Sequence, residues 1–345
     1  GSSNPAPVVN EACLIKSLRF IKSVSFKFLI KLGKLHQLLN FFLTDSLDIL
    51  FKILIFCNLK KFLDQMESII AYFETIPSAH RSLILVGGLS FFWILEGSFS
   101  LFHFKYKKWK HALPNLFFTS TTVVINFILA FLLLNTSDWV VSNSFGFLHW
   151  IPELPLWVEV LLGVLLLDLI GAYAPHWVEH KVKPLWMIHL VHHSDHHVDT
   201  TTANRHHPLE SFVRFGFTLV GVFLVGANVG IIMLYQSLSL IATQFNHANI
   251  KLPKKVDLYL SYVLVSPDMH KTHHHYRLPY TDANFGNIFS IWDRLFGTYL
   301  PFDREKLVYG VDVFFDEEAN SKIGHLLKQP LQPYSKPTLA PKTEH

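Results

Sequence analysis

Long apolar stretches limit the folds open to this chain. Residues 82–102, 114–134 and 155–174 each match the run of about 20 residues that crosses a bilayer core. The first carries Glu96 and the third Asp168. Residues 211–245 form a longer apolar stretch broken in its middle by Gly226, Asn228 and Gly230. Glycine and asparagine punctuate helices, so this stretch reads as a hairpin of two helices, spanning or re-entrant. Composition agrees: only 16% of residues are charged and 50% are hydrophobic, against about 25% charged in a soluble domain. The expected fold is all-α: a polytopic membrane protein with about four to five transmembrane or re-entrant helices. A formal charge of +4 is too small to point to nucleic acid. Two cysteines, Cys13 and Cys57, cannot build a disulfide framework or a thiolate metal site.

Three regions are expected. Residues 1–80 form an extension in which Lys16, Arg19, Lys22, Lys27, Lys31 and Lys34 punctuate an apolar background, the pattern of helices lying on a membrane surface. Residues 81–300 form the membrane domain, and residues 301–345 a polar, proline-punctuated cytoplasmic tail. Basic residues in short loops mark the cytoplasmic side. Lys105, Lys107, Lys108 and Lys110 follow the first span, the next loop (135–154) has no Lys or Arg, and Lys251, Lys254 and Lys255 follow the hairpin. Counting through the spans puts every histidine cluster on the cytoplasmic face, of a bacterial inner membrane or the endoplasmic reticulum.

Histidine is the anomaly. Of 21, fourteen lie between His176 and His275, so a local chemical demand is expected there. His176-x-x-x-His180 comes at the end of the third span. Positions i and i+4 share a helix face, so both imidazoles can reach one metal. His189-x-x-His192-His193 and His270-x-x-His273-His274 each set three imidazoles on one face. His247 closes the hairpin and His207 stands in His207-Pro208-Leu209-Glu210. One ion takes about four to six ligands, so these ten candidates imply two ions. Imidazole suits Zn, Cu, Fe and Ni alike. An all-nitrogen dinuclear site at a membrane suits iron and O₂ activation, a task soluble di-iron bundles perform with Glu and Glu-x-x-His.

Metal-bound imidazoles donate their other N–H to a carboxylate or carbonyl. Glu179, Asp195, Asp199, Glu210 and Asp268 are candidates for that role. Asp168 lies about 12 Å along a helix from His176, so it is placed to hold a histidine of another segment. His196, His197, His206 and His275 flank the boxes without the spacing, and are expected to face solvent or support the ligands. His36, His80, His103, His111, His149, His325 and His345 are scattered and expected to bind no metal. Glu96 inside a span reads either as a functional group or as a helix–helix hydrogen bond.

The flanking residues carry a resemblance. His176-Trp-Val-Glu-His180, His189-Leu-Val-His192-His193-Ser194-Asp195 and the run Thr201 to Glu210 resemble the fatty acid hydroxylase/sterol desaturase superfamily. So do Pro267-Asp268-Met269-His270-Lys271-Thr272-His273-His274, Asn284-Phe285-Gly286-Asn287 and Trp292-Asp293-Arg294-Leu295-Phe296-Gly297-Thr298. The resemblance covers residues 82–300 and looks closest to C-5 sterol desaturases and bacterial sterol-desaturase-like proteins. It implies a helical membrane fold with a cytoplasmic, histidine-rich di-metal cap. It implies O₂-dependent hydroxylation or desaturation of a membrane lipid at two iron ions. Electrons would come from an external NAD(P)H-linked reductase or small electron carrier, since no cytochrome module is read in this chain. The ligands carried over are His176, His180, His189, His192, His193, His247, His270, His273 and His274, with His207 a tenth. Two features depart from the common pattern: the box at His247 holds a single histidine, and His196 is an extra one.

Two rivals come from other classes. His176-Trp-Val-Glu-His180 also fits the inverted zinc-protease motif, with Glu179 as base, but one zinc with about three ligands leaves the other boxes unexplained. A metal-binding or transport protein without oxygenase activity predicts polar ligands at the bilayer midplane, whereas these clusters follow the span ends.

Overall fold

The computed structural model describes residues 61–334. The basic positions 16–34 and the end of the tail from residue 335 lie outside the described residues. The chain divides into two compact units, 1–69 and 70–345, and the second holds every element named below. Among the described residues all regular elements are helical, with three isolated bridges. Helix α1 is Ser78–Ser98, α2 Lys108–Ser142 and α3 Leu156–Asp168. A π-helical turn, Leu169–Tyr173, runs straight into α4, Ala174–Lys181. Then come α5 (Lys183–His193), α6 (Pro208–Val225), α7 (Val229–His247), α8 (Pro267–His273) and α9 (Ile323–Lys328). Four helical segments are long and apolar enough to cross a membrane: Ser78–Ser98, Lys108–Trp150, Leu156–Lys181 and Pro208–Val225. Helix α7 adds a fifth apolar element of 19 residues.

The spans differ from their sequence bounds for physical reasons. The first starts at Ser78, directly after Pro77, whose backbone is extended. It stops at Ser98, because the chain beyond pairs with the segment after α7: Leu101 N–H donates to Asn249 O and Lys251 N–H to Phe99 O. The second starts at Lys108, with Pro114 inside it. Pro114 lies past the first turn, so it removes the backbone bond to residue 110 and crowds that carbonyl, yet the helix continues through it. At 35 residues this helix is about 52 Å long, well beyond a hydrocarbon core of about 30 Å. Part of it therefore extends beyond the apolar layer, and near its start the buried Asn115 donates to Thr201 Oγ1 at 2.9 Å. The third span does not end at Ala174 but continues through His176 and His180 to Lys181. The π turn lies immediately before them, a place where such turns re-aim functional side chains.

The expected break in the fourth stretch is a tight turn. Gly226 sits at φ +75°, the left-handed helix terminus that glycine adopts without strain. Asn228 then caps α7 by accepting from Ile231 N–H. Helix α6 packs on α2 and the π turn, and α7 on α1 and α3, so the hairpin joins the bundle. Residues 301–334 depart from the tail expectation. Leu307, Tyr309, Val311 and Val313 are buried at alternate positions. Val311 and Val313 pack on Leu190, and Leu326 of α9 packs on Phe118 and Val191. A period-two apolar row diluted by proline and charge reads as polar in sequence, yet buries one whole face.

Candidate metal centre

The helix ends bring nine histidines together in two groups. His176, His180, His189, His193 and His273 form one, and His192, His247, His270 and His274 the other, with ligand atoms of each group within 4.8 Å of one another. Helices α4, α5 and α8 each carry an i, i+4 pair, so their faces converge. His192 and His193 are adjacent on α5 and point to different groups, as do His273 and His274 at the end of α8. The two groups are therefore neighbours, sharing α5 and α8.

The tautomers identify what these nitrogens want. His176 Nδ1 lies 2.8 Å from Phe285 O, and His273 Nδ1 2.7 Å from Ala283 O. A carbonyl only accepts, so both Nδ1 atoms carry the proton and both Nε2 atoms present lone pairs. Those two Nε2 atoms are 2.9 Å apart. Two facing lone pairs repel unless a cation binds both. The second group repeats the pattern: His247 Nδ1 donates to Thr243 O at 2.8 Å, and its Nε2 faces those of His192, His270 and His274 at 3.1, 3.0 and 3.2 Å. Nitrogens held at about 2.1 Å on one ion, at right angles, stand about 3 Å apart. His180 Nε2, His189 Nε2 and both nitrogens of His193 are buried without a protein partner. Burial, then the charge of neighbouring imidazoles, holds His189, His192, His193, His270 and His274 well below the ordinary histidine range; burial lowers His273 to about 3. These rings are neutral near pH 7, the state that binds metal. The donor set fits metal ions.

The loop that orients the first group is built by residues far along the chain. Asp293 accepts from Phe285 N–H at 2.7 Å and Gly286 N–H at 2.8 Å. Asn284, at φ +56°, donates to Met269 O and Leu300 O. The carbonyls of Ala283 and Phe285 are thereby aimed at His273 and His176. Residue type gives no signal for a carbonyl's role, so sequence reasoning missed both. It also missed Arg214, whose lone charge within an apolar stretch was the available sign.

The expected supporting carboxylates divide. Glu210 accepts from His189 Nδ1 at 2.8 Å, and Glu179 lies 3.7 Å from the same atom. Asp168 does not reach a histidine: it accepts from Ile288 N–H, Phe289 N–H and Trp292 Nε1–H, because the π turn aims it at that loop. Asp195 and Asp199 turn to the other side of α5 and flank His111 at 2.8 and 3.3 Å. Asp268 faces Arg304 at 2.9 Å. His207 joins neither histidine group. It caps α6, where its Nδ1 accepts from Leu209 N–H and its Nε2 donates to Leu327 O at 3.3 Å. With both nitrogens so occupied, His207→Ala should leave metal content unchanged and cost about 1 kcal/mol, the worth of a helix cap. Loss of an ion in elemental analysis of that variant would overturn this placement.

His206, expected to support the ligands or face solvent, packs its ring 5.0 Å from that of His192 at a tilt of 51°. Glu96 is a buried anchor: it accepts from Thr200 N–H, Asn249 N–H and Lys108 Nζ, which ties α1 to the loops around the histidines.

Residues 160–298 match the fatty acid hydroxylase family model. This segment is similar to fatty acid hydroxylase domains. All nine grouped histidines, with Glu179, Glu210 and Arg214, fall within it. The chain is 25% identical over 151 residues to an ornithine lipid hydroxylase of Rhizobium tropici, covering 44% of each. It is 32% identical over 156 residues to an alkylglycerol monooxygenase of Danio rerio, 45% of this chain and 32% of that one. The Homo sapiens alkylglycerol monooxygenase is 28% identical over 156 residues, 45% and 33% of the two chains. The matched stretch spans less than half the length of these relatives. No solved structure matches. With four membrane-length helices among the described residues and lipid hydroxylases among its relatives, the chain is an integral membrane protein.

Proposed function

We propose that this chain is an O₂-dependent oxidoreductase that inserts oxygen at a C–H bond of a membrane lipid, using two iron ions. The observation that carries the reading is the pair of adjacent, buried, neutral imidazole groups whose Nε2 lone pairs face one another. His176, His180, His189, His193 and His273 would hold one ion, and His192, His247, His270 and His274 the other. Two bound irons, given O₂ and electrons, supply the oxidising power to break an unactivated C–H bond.

The chain's own residues do the rest. Hydrogen bonds from Nδ1 to Phe285 O, Ala283 O, Thr243 O and Glu210 lock His176, His273, His247 and His189 in one tautomer and one orientation. Burial of the grouped rings keeps bulk water from them. Helices α4 and α7, which carry His176, His180 and His247, continue long apolar segments, so a lipid would approach from the bilayer without crossing water. Hydroxylation is favoured over desaturation by the names of the relatives, a hydroxylase and monooxygenases. Residues 81–300 act as the catalytic membrane domain, with the histidines on the cytoplasmic face where a separate NAD(P)H-linked reductase or small electron carrier delivers electrons. The lysines at 105–110 and 251–255 support that orientation.

The test is product formation by iron-loaded protein in lipid nanodiscs, with a chemical reductant, against a panel of ether glycerolipids, ornithine-type aminolipids, fatty acyl lipids and sterols. A hydroxylated product whose new oxygen derives from labelled O₂ is expected. Label arriving only from water, or lipid turnover that survives anaerobic conditions, would sink the reading.

A further inference from the structure

The two histidine groups are not held alike. Among the described residues, only His180 and His189 of the nine grouped histidines bring a ring nitrogen within 4.0 Å of a carboxylate, and both belong to the five-histidine group. His180 is 3.9 Å from Asp282, too long for a hydrogen bond. His189 is different: its Nδ1 donates to Glu210 Oε1 at 2.8 Å. That carboxylate is in turn clamped by Arg214, one turn further along α6. Arg214 Nε donates to Glu210 Oε1 at 2.8 Å, and an Arg214 NH2 group to Glu179 Oε2 at 2.6 Å. Glu179, Glu210 and His189 are all buried. A guanidinium in a membrane-length helix is costly and is kept where it has work. Here it spans two carboxylates that would otherwise repel each other side by side.

The chemistry of this arrangement is directional. A carboxylate accepting an imidazole N–H makes the opposite nitrogen a stronger donor than a carbonyl does. Two carboxyl groups meet one guanidinium behind His189. In the four-histidine group the one Nδ1 contact is to a neutral carbonyl, that of Thr243.

Building on the two-ion reading above, we propose that Glu210, held by Arg214, is a positioning residue that makes the two ion sites unequal. Through His189 it gives the five-histidine site the more electron-rich ligand set, so that site binds its ion more tightly and is the harder one to reduce. Two irons held there would take up electrons in two separated one-electron steps.

The test uses the full chain, iron-loaded in detergent, titrated potentiometrically and followed by Mössbauer spectroscopy. Glu210→Gln keeps the shape and the acceptor for His189 but removes the charge. It should raise the lower-potential step by about a tenfold change in the reduced-to-oxidised ratio, about 59 mV for one electron, and leave the other step in place. Arg214→Lys keeps a charge but not the fork that grips both carboxylates, and should move the same step in the same direction. In zinc-loaded protein challenged with a chelator, each variant should lose one of the two ions roughly 10–100-fold more readily than the parent. Two steps that move together, or neither moving in Glu210→Gln, overturns the proposal while the two-ion reading stands. A parent that holds a single ion sinks both. If Arg214→Lys fails to fold, the isosteric Glu210→Gln decides alone.

Discussion

Protein purified from iron-replete cells should carry about two metal ions per chain, and a His192→Ala, His273→Ala double variant close to none. The size of the effect follows from placement. His192 belongs to the four-histidine group and His273 to the five-histidine group, so one substitution strikes each site. His192 Nε2 is 3.1 Å from His247 Nε2, and His273 Nε2 is 2.9 Å from His176 Nε2. Removing either ring leaves lone pairs without the geometry that gathers them around one ion. Each single variant should lose about one ion, because the sites share helices but no histidine. The measurement is elemental analysis per chain, with helicity monitored to show that the fold persists. One tightly held zinc, unchanged in the double variant, would defeat the two-ion reading and bring forward the inverted zinc-protease motif at His176–His180.

Arg205→Ala should destabilise the cap by about 3–5 kcal/mol, the cost of stripping one partner from a buried charged network. Arg205 is 2% exposed and donates in four directions: Nε to Val191 O, one NH group to Asn115 Oδ1, the other to Ser194 Oγ and to Asn320 O. One side chain thus joins α2, the end of α5 and the segment after residue 301. Val191 and Ser194 bracket His192 and His193, so loosening them disturbs both ion sites. The expected readout is a fall in Tm in detergent on the order of 10 °C, with faster metal loss. Arg205→Lys should recover little of it, since an ammonium cannot reach four acceptors from one plane. An unchanged Tm in the alanine variant would show that the network is dispensable.

Much of the architecture was readable from the chain because its signals are periodic. Apolar runs of bilayer length, and imidazoles at i, i+3 and i+4, are properties of a helix alone, so the spans, the hairpin and the histidine faces needed no tertiary knowledge. Even so, Pro114 was a poor boundary marker, since the helix starts at Lys108 and runs on through it. The apolar row 307–313 was hidden behind the charges at 303–306 and Asp312, and its burial depends on Leu190 and its neighbours being there to receive it.

Which histidines share an ion lay beyond the sequence. Adjacent residues on α5, His192 and His193, face different groups, and only the crossing of α5 with α4, α7 and α8 settles which. His207 has the same ring as the others but was drawn off to cap α6, because Leu209 N–H and Leu327 O reach it first. Among the carboxylates, Glu210 was within reach of His189 while Asp168, Asp195, Asp199 and Asp268 were claimed by backbone amides, His111 and Arg304. Sequence by itself pointed to the kind of site, a nitrogen-rich cluster of histidines following the span ends, because ligand type and helical spacing are local. The tertiary structure alone decided the pairing, the tautomers and the charged anchor at His189, because these depend on which acceptor lies within 3 Å, and that distance is set by packing between segments far apart in the chain.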